Sequence, residues 1–125
     1  MCNSDVILCV DDEENQLTMR KYLLESKGYS VLAASSGNQA LDLLACHQVD
    51  LVLSDHLMPG LTGVELARQI KLHHPALPVI LISALNEIPA GAEYADLFMS
   101  KLDGPVAMCQ NIALMLEQSR NRSFR

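Results

Sequence analysis

The 125-residue chain contains no tryptophan, and aromatic residues make up only 4% of it. Basic residues are also scarce: 9 Lys and Arg against 15 Asp and Glu leave a formal charge of −6. Binding to DNA or RNA draws on a basic surface that displaces counterions from phosphates, so no direct nucleic-acid binding is expected. The one basic cluster, Arg120, Arg122 and Arg125, reads as part of a solvated tail. No apolar run approaches the roughly 20 residues of a membrane span. The first run, Val6 to Val10, is too short even for a signal peptide, and the residues before it carry no basic n-region. A cytoplasmic protein without membrane contact is expected. The 4 cysteines form no C-x-x-C pair, which argues against zinc and against a disulfide framework. Cys9, Cys46 and Cys109 lie in apolar segments and read as buried, reduced thiols. The 6 glycines are dispersed, with neither G-x-x-x-x-G-K-[ST] nor G-x-G-x-x-G, so a nucleotide is not the expected ligand.

What is present is enough apolar material for a core: 50% hydrophobic residues with 19% charged. One domain over 1–125 is expected, with an ordered core at about 4–118 and a polar tail at 119–125. Short apolar runs alternate with helical patterns throughout. The strand candidates are Val6–Val10, Ser30–Ala34, Leu51–Ser54, Val79–Ile82 and Asp96–Met99. The first, third and fourth are continuously apolar, as strands covered on both faces are.

Between them, Met19, Tyr22 and Leu23 suggest a first helical stripe ended at Gly28, and Ser36-x-x-Gln39 and Thr62-x-x-Glu65 read as capping boxes. The third helix should close at His73-His74-Pro75, and the last carries Met108, Ile112 and Met115 beside Cys109, Ala113 and Leu116. Only Leu85 to Ala95, with Pro89 and Gly91, separates the fourth and fifth strands, so any helix there must be short or irregular. Right-handed crossovers then give an α/β fold, a doubly wound five-stranded parallel sheet of order 2-1-3-4-5, flavodoxin-like (βα)5 with a shortened fourth helix.

In such sheets ligands bind beyond the carboxyl ends of the strands. The residues found there are Asp11-Asp12 after the first strand, Asp55 after the third, Ser83 after the fourth and Lys101 after the fifth. Singly, each has an ordinary explanation as a helix cap, a backbone partner or a surface charge. Together they form an acidic cluster flanked by a hydroxyl and an ammonium. Adjacent carboxylates repel unless a cation neutralises them, and all-oxygen ligands select a hard ion such as Mg²⁺. An ammonium and a hydroxyl opposite suit the oxygens of a transferring phosphoryl group, with Asp55 as acceptor.

These residues resemble the receiver domain of two-component response regulators. The resemblance rests on Val10-Asp11-Asp12-Glu13, on Asp55-His56-Leu57-Met58-Pro59-Gly60-Leu61-Thr62-Gly63, on Ser83-Ala84, and on Phe98-Met99-Ser100-Lys101. It covers essentially the whole chain. It implies that Asp55 accepts a phosphoryl group from a phosphohistidine on a sensor histidine kinase or phosphotransfer protein. It further implies that Asp12 and Asp55 bind Mg²⁺ directly, Asp11 often through water, and the backbone carbonyl of Leu57 completes the set. By the same likeness Ser83 and Lys101 hold phosphoryl oxygens, Ala84 leaves room for their approach, and Phe98 is the switch aromatic. The face of the fourth helix, fifth strand and fifth helix would then control a partner or output domain, in a monomer or weak dimer. Such a domain catalyses only its own phosphorylation and dephosphorylation.

Two features depart from the family pattern: Leu102 follows Lys101 where proline is usual, and the Ser83–Lys101 stretch is short. His56, beside the acceptor, is expected to point to solvent. Two other functions compete. A Mg²⁺-dependent phosphatase of haloacid-dehalogenase type would place its acids as D-x-D, whereas Asp11 and Asp12 are adjacent and no cap domain is evident. A pseudo-receiver that only binds partners would not need the complete pocket. No output domain follows the last helix, which fits either a stand-alone protein or a piece of a longer regulator.

Overall fold

A computed structural model describes residues 5–84 and 88–123. Among the described residues there are five strands, β1 (Val6–Val10), β2 (Ser30–Ala34), β3 (Leu51–Asp55), β4 (Val79–Ser83) and β5 (Leu97–Ser100). They form one parallel sheet in the order β2-β1-β3-β4-β5, as the alternation of runs predicts. The α-helices are α1 (Glu14–Ser26), α2 (Gly37–Cys46), α3 (Gly63–His73) and α4 (Gly104–Ser123).

The period-two alternation of strand side chains splits the core in two. On one face Leu8, Val10, Val52 and Leu81 pack under Ala40 and Leu44 of α2 and Leu66, Ala67 and Ile70 of α3. On the other, Ile7, Cys9, Leu53 and Ile82 pack under Leu17 and Leu24 of α1 and Met108, Ile112 and Leu116 of α4. Because β1, β3 and β4 are covered on both faces, alternate residues are all apolar, which accounts for their unbroken hydrophobic runs.

Several expectations are corrected. β3 and β4 run one residue further than expected, so Asp55 and Ser83 are the last residues of their strands. β5 starts at Leu97 because Asp96 is diverted: its Oδ2 accepts from Val79 N at 2.8 Å and from Lys71 Nζ at 2.6 Å. The inward face of α1 belongs to Leu17 and Leu24, while Met19 and Tyr22 are 70% and 71% exposed. Apolar character misled there because the helix has only a weak apolar stripe. In α4 the buried stripe is Met108, Ile112 and Leu116, while Ala113 is exposed. That helix continues to Ser123, replacing the first part of the expected polar tail, and Arg120 is ion-paired with Asp5. Cys9 is buried, and burial pushes its thiol up to about 12, which makes it inert. Cys46 is exposed at the end of α2 and Cys109 is half-buried, so neither is the fully buried thiol expected. Cys2 lies outside the described residues.

Between β4 and β5 the described residues contain no α-helix, only a 3-10 turn at Ala92–Tyr94; Leu85–Glu87 lie outside them. Gly91 enters this turn at φ +88°, and a Cβ there would stand 2.5 Å from Val64 Cγ1 of α3. The capping box at Thr62 and Glu65 is complete, so α3 starts at a fixed residue. At α2 the Ser36 hydroxyl accepts from Gln39 N, but Gln39 Oε1 reaches back to Ser35 instead of closing the expected box.

Gly63, the first residue of α3, is pressed against the end of β3. A Cβ on it would lie 2.6 Å from the Asp55 carbonyl oxygen and 2.7 Å from His56 Cα, both backbone atoms that cannot swing away. Gly63→Ala is therefore expected to lower the unfolding free energy by about 3 kcal/mol through overpacking. Gly60→Ala, where φ is +77° and nothing lies within 4 Å of the new Cβ, should cost only about 1 kcal/mol for its left-handed backbone. Urea unfolding of the two variants checks both values; equal costs would show that the Gly63 contact relaxes.

Candidate functional site

Parallel pairing brings the carboxyl ends of β1, β3, β4 and β5 to one rim. Asp11 follows β1 directly, its N–H donating to Ala34 O on β2 at 3.1 Å. It is fully buried, yet both its carboxylate oxygens are occupied: Oδ1 accepts from Glu13 N at 2.9 Å and Oδ2 from Arg20 Nη1 at 2.9 Å. Arg20, on α1, is itself only 12% exposed at its side chain and donates from Nη2 to Gln16 Oε1 at 3.3 Å. Asp12 is exposed.

Asp55 ends β3, buried, with Lys101 Nζ 3.3 Å from its Oδ1. Its carboxyl is held above the usual carboxylate range, first by burial and then by the negative charge of Asp11, against the pull of Lys101 and Arg20. Asp11, Asp12 and Asp55 can each present one oxygen within 4.8 Å of the others. An all-oxygen set of this spacing, one member facing solvent, fits a hard divalent ion that retains waters.

Of the sequence-predicted residues, Asp11, Asp12, Asp55 and Lys101 come together. Ser83 is buried at the end of β4, one step beyond Ile82, the register partner of Asp55, and opposite Ser100, which precedes Lys101. Ala84 is exposed next to it. Leu57 turns its side chain outward and is 54% exposed. Phe98 is half-buried against the α2–α3 core, opposite Leu81. After Lys101 the chain makes a 3-10 turn over Lys101–Asp103, capped by Ser100 and Asp103, in which Leu102 is exposed.

His56 departs from expectation. It is buried, and its Nδ1 accepts from Val64 N at 3.3 Å while its carbonyl accepts from Gly63 N at 2.8 Å. The imidazole points inward because α3 begins directly over it with unsatisfied N–H groups, and a neutral ring nitrogen supplies an acceptor.

Arg20 was not anticipated from the sequence. Leu17, Arg20 and Leu24 fall on one face at +3 and +4 spacing, so an arginine in the buried stripe of α1 was the available signal.

The family model described as the response regulator receiver domain matches residues 7–113. The alkaline phosphatase synthesis transcriptional regulatory protein PhoP of Bacillus subtilis is 33% identical over 117 residues, covering 90% of this chain and 49% of that protein. The DNA-binding transcriptional regulator NtrC of Klebsiella pneumoniae is 35% identical over 107 residues, covering 85% of this chain and 23% of that protein. Thus the chain spans about half the length, or less, of these curated relatives. The response regulator TrrA of Thermotoga maritima, solved in complex with Mg²⁺-BeF, superposes with a TM-score of 0.84 at 28% identity, covering 89% of this chain and 98% of that one. The expectation of no direct nucleic-acid binding finds no support here, since the relatives are named transcriptional and DNA-binding regulators. No helix among the described residues is long and apolar enough to cross a membrane.

The raised Asp55 carboxyl makes a directional prediction. An acid held above its unfolded value of about 3.8 keeps its proton longer in the folded state, so its ionisation costs stability as pH rises through that window and at every higher pH. Asp55→Asn removes this cost. It should raise the melting temperature of the metal-free protein by a few degrees at pH 7, with the gain falling away as pH drops through the raised folded value and gone by about pH 3, where both states of the wild type are largely protonated. Thermal unfolding in chelator at both pH values measures it. No gain at pH 7 would mean that Lys101 fully offsets the burial.

Proposed function

This chain belongs to the response regulator receiver domain family of two-component signalling, and from that premise we propose that it is a phospho-accepting switch with Asp55 as the acceptor. The observation that carries the reading is the setting of Asp55. It is a buried strand-end carboxylate gathered with Asp11 and Asp12, with the Lys101 ammonium 3.3 Å from its Oδ1.

The donor is the phosphohistidine of a sensor histidine kinase or phosphotransfer protein. An Asp55 carboxylate oxygen attacks phosphorus, the new O–P bond forms as the donor's P–N bond breaks, and the imidazole leaves and regains its proton from solvent. Asp12 and Asp55, the carbonyl of Leu57, and Asp11 through water are the residues that would hold Mg²⁺. When bound, that ion supplies positive charge against which the phosphoryl oxygens are neutralised. Lys101 gives up its contact with the free carboxylate and pairs with a phosphoryl oxygen, while Ser83 donates to another.

The aspartyl phosphate adds roughly −1.5 to −2 charges at the rim if it titrates as other phosphorylated side chains do. Drawing Ser83 and Lys101 inward moves the chain after β4, and Phe98, half-buried on the neighbouring β5, follows. With a 3-10 turn among the described residues where a short or irregular helix was expected, the responsive surface is the β4–β5 connection, β5 and α4. The names of the curated relatives support an output on transcription, delivered through a partner or an attached domain. We place the domain in the cytoplasm, as a monomer or weak dimer that catalyses only its own phosphorylation and dephosphorylation.

Intact-protein mass after incubation with acetyl phosphate tests the proposal. A phosphoryl adduct is expected with Mg²⁺, absent in chelator and absent in Asp55→Asn, while Lys101→Gln should form it about a hundred-fold more slowly. Steady release of inorganic phosphate from wild type without an adduct would favour an enzyme. Neither adduct nor release, with acetyl phosphate or with a phosphorylated kinase, would leave an interaction module.

A further inference from the structure

Asp11, Asp12 and Asp55 bring three negative charges to the rim, whereas Lys101 and Arg20 bring two positive ones, so the named groups sum to a single net negative charge. Arg20 is not a surface arginine that happens to lie nearby. It occupies the buried stripe of α1 between Leu17 and Leu24, its guanidinium is fixed by Gln16 one turn earlier, and it spends its charge on a fully buried carboxylate. Burying a guanidinium in place of an apolar side chain is costly unless the charge it meets needs it. Here the same carboxylate belongs to the oxygen set that fits a divalent ion.

We propose that Arg20 is a resident counter-ion of the phosphorylation site, a positioning residue that holds Asp11 while no divalent ion is bound and lowers the affinity of the site for one. The inference rests on the divalent-ion reading above. Two opposing effects follow from the geometry. Fixing Asp11 in place favours metal binding by sparing the cost of ordering it. The guanidinium charge opposes binding, and a divalent ion doubles that repulsion. The electrostatic effect is the larger, because Asp11 Oδ1 is already held by Glu13 N without any help from Arg20. Arg20 thereby makes the site stable without metal and responsive to changes in metal or phosphoryl charge.

The test is calorimetric titration of Mg²⁺ into wild type, Arg20→Gln and Arg20→Lys, with melting temperatures in chelator and in saturating Mg²⁺. Arg20→Gln is expected to bind Mg²⁺ on the order of ten-fold more tightly. It should also melt lower than wild type in chelator, with the gap narrowing when Mg²⁺ is saturating. Arg20→Lys, which keeps the charge, should stay within about two-fold of wild-type affinity. Should Arg20→Gln not fold, Asp11→Asn is compared with Asp11→Asn/Arg20→Gln, a double variant that leaves no buried charge unpaired; the double variant should again bind more tightly. Unchanged or weaker affinity on discharging Arg20, with the same loss of stability at every Mg²⁺ concentration, would overturn the inference and leave the arginine a structural partner. A wild type that takes up no Mg²⁺ would overturn the divalent-ion reading and this inference with it, an outcome distinct from equal affinities.

Discussion

A carboxylate that must be both buried and negative is the constraint around which the rest of the site is arranged. Asp55 sits at the end of a strand covered on both faces, with a second buried carboxylate, Asp11, raising its proton affinity further. Such an arrangement persists only with positive charge close by. Two elements distant in sequence supply it: α1 brings Arg20 to Asp11, and the residue after β5 brings Lys101 to Asp55. The incomplete balance leaves a net negative charge at the rim, a setting that fits the hard divalent ion this all-oxygen set suits. Charge on either side of that balance is the variable that the domain can exploit.

The sheet provides the precision that this balance needs. Parallel pairing fixes Asp55 against Ile82 and Ser83 against Ser100, so the three strand ends cannot slide relative to one another without turning core residues outward. At Gly63 the start of α3 is pressed onto the backbone of Asp55 and His56, and the buried His56 imidazole accepts a helix N–H. Asp55 is thus held from the strand side and from the helix that follows it. Lys101 is mounted differently, at the start of a capped 3-10 turn with an exposed Leu102, which fits the exchange of anionic partners proposed for it.

Much of this was legible in the sequence because the physics was local. β1, β3 and β4 announce themselves as short runs with no polar interruption, and the strand-end rule then singles out Asp11, Asp12, Asp55, Ser83 and Lys101. The parts that were not legible depend on tertiary partners. Met19 and Tyr22 are as apolar as core residues, and only the packing of α1 beside α4 shows that Leu17 and Leu24 face inward instead. His56 looked like a loop residue until α3 supplied the N–H it accepts. Asp96 looked like the first residue of a strand, but Lys71 and the start of β4 claim its side chain. Arg20 could have been read from its place in the buried stripe, had that stripe been assigned to Leu17 and Leu24.

The short connection between β4 and β5 bears directly on how a change at Asp55 would be transmitted. A full helix there would cover the α2–α3 face of the sheet beside Phe98 and would have to move as a body. Among the described residues of the connection a 3-10 turn packs against α3, with Gly91 passing so close to Val64 that no side chain fits between them. That contact pins the far end of the connection while its near end begins at Ser83, in the site itself. Under the function proposed above, a displacement of Ser83 would be felt first in β5, its register partner, where Phe98 lies half-buried against the α2–α3 core. A lever anchored at Gly91 would then move a smaller surface, so the proposed output falls to β5 and α4 more than to a shifting helix.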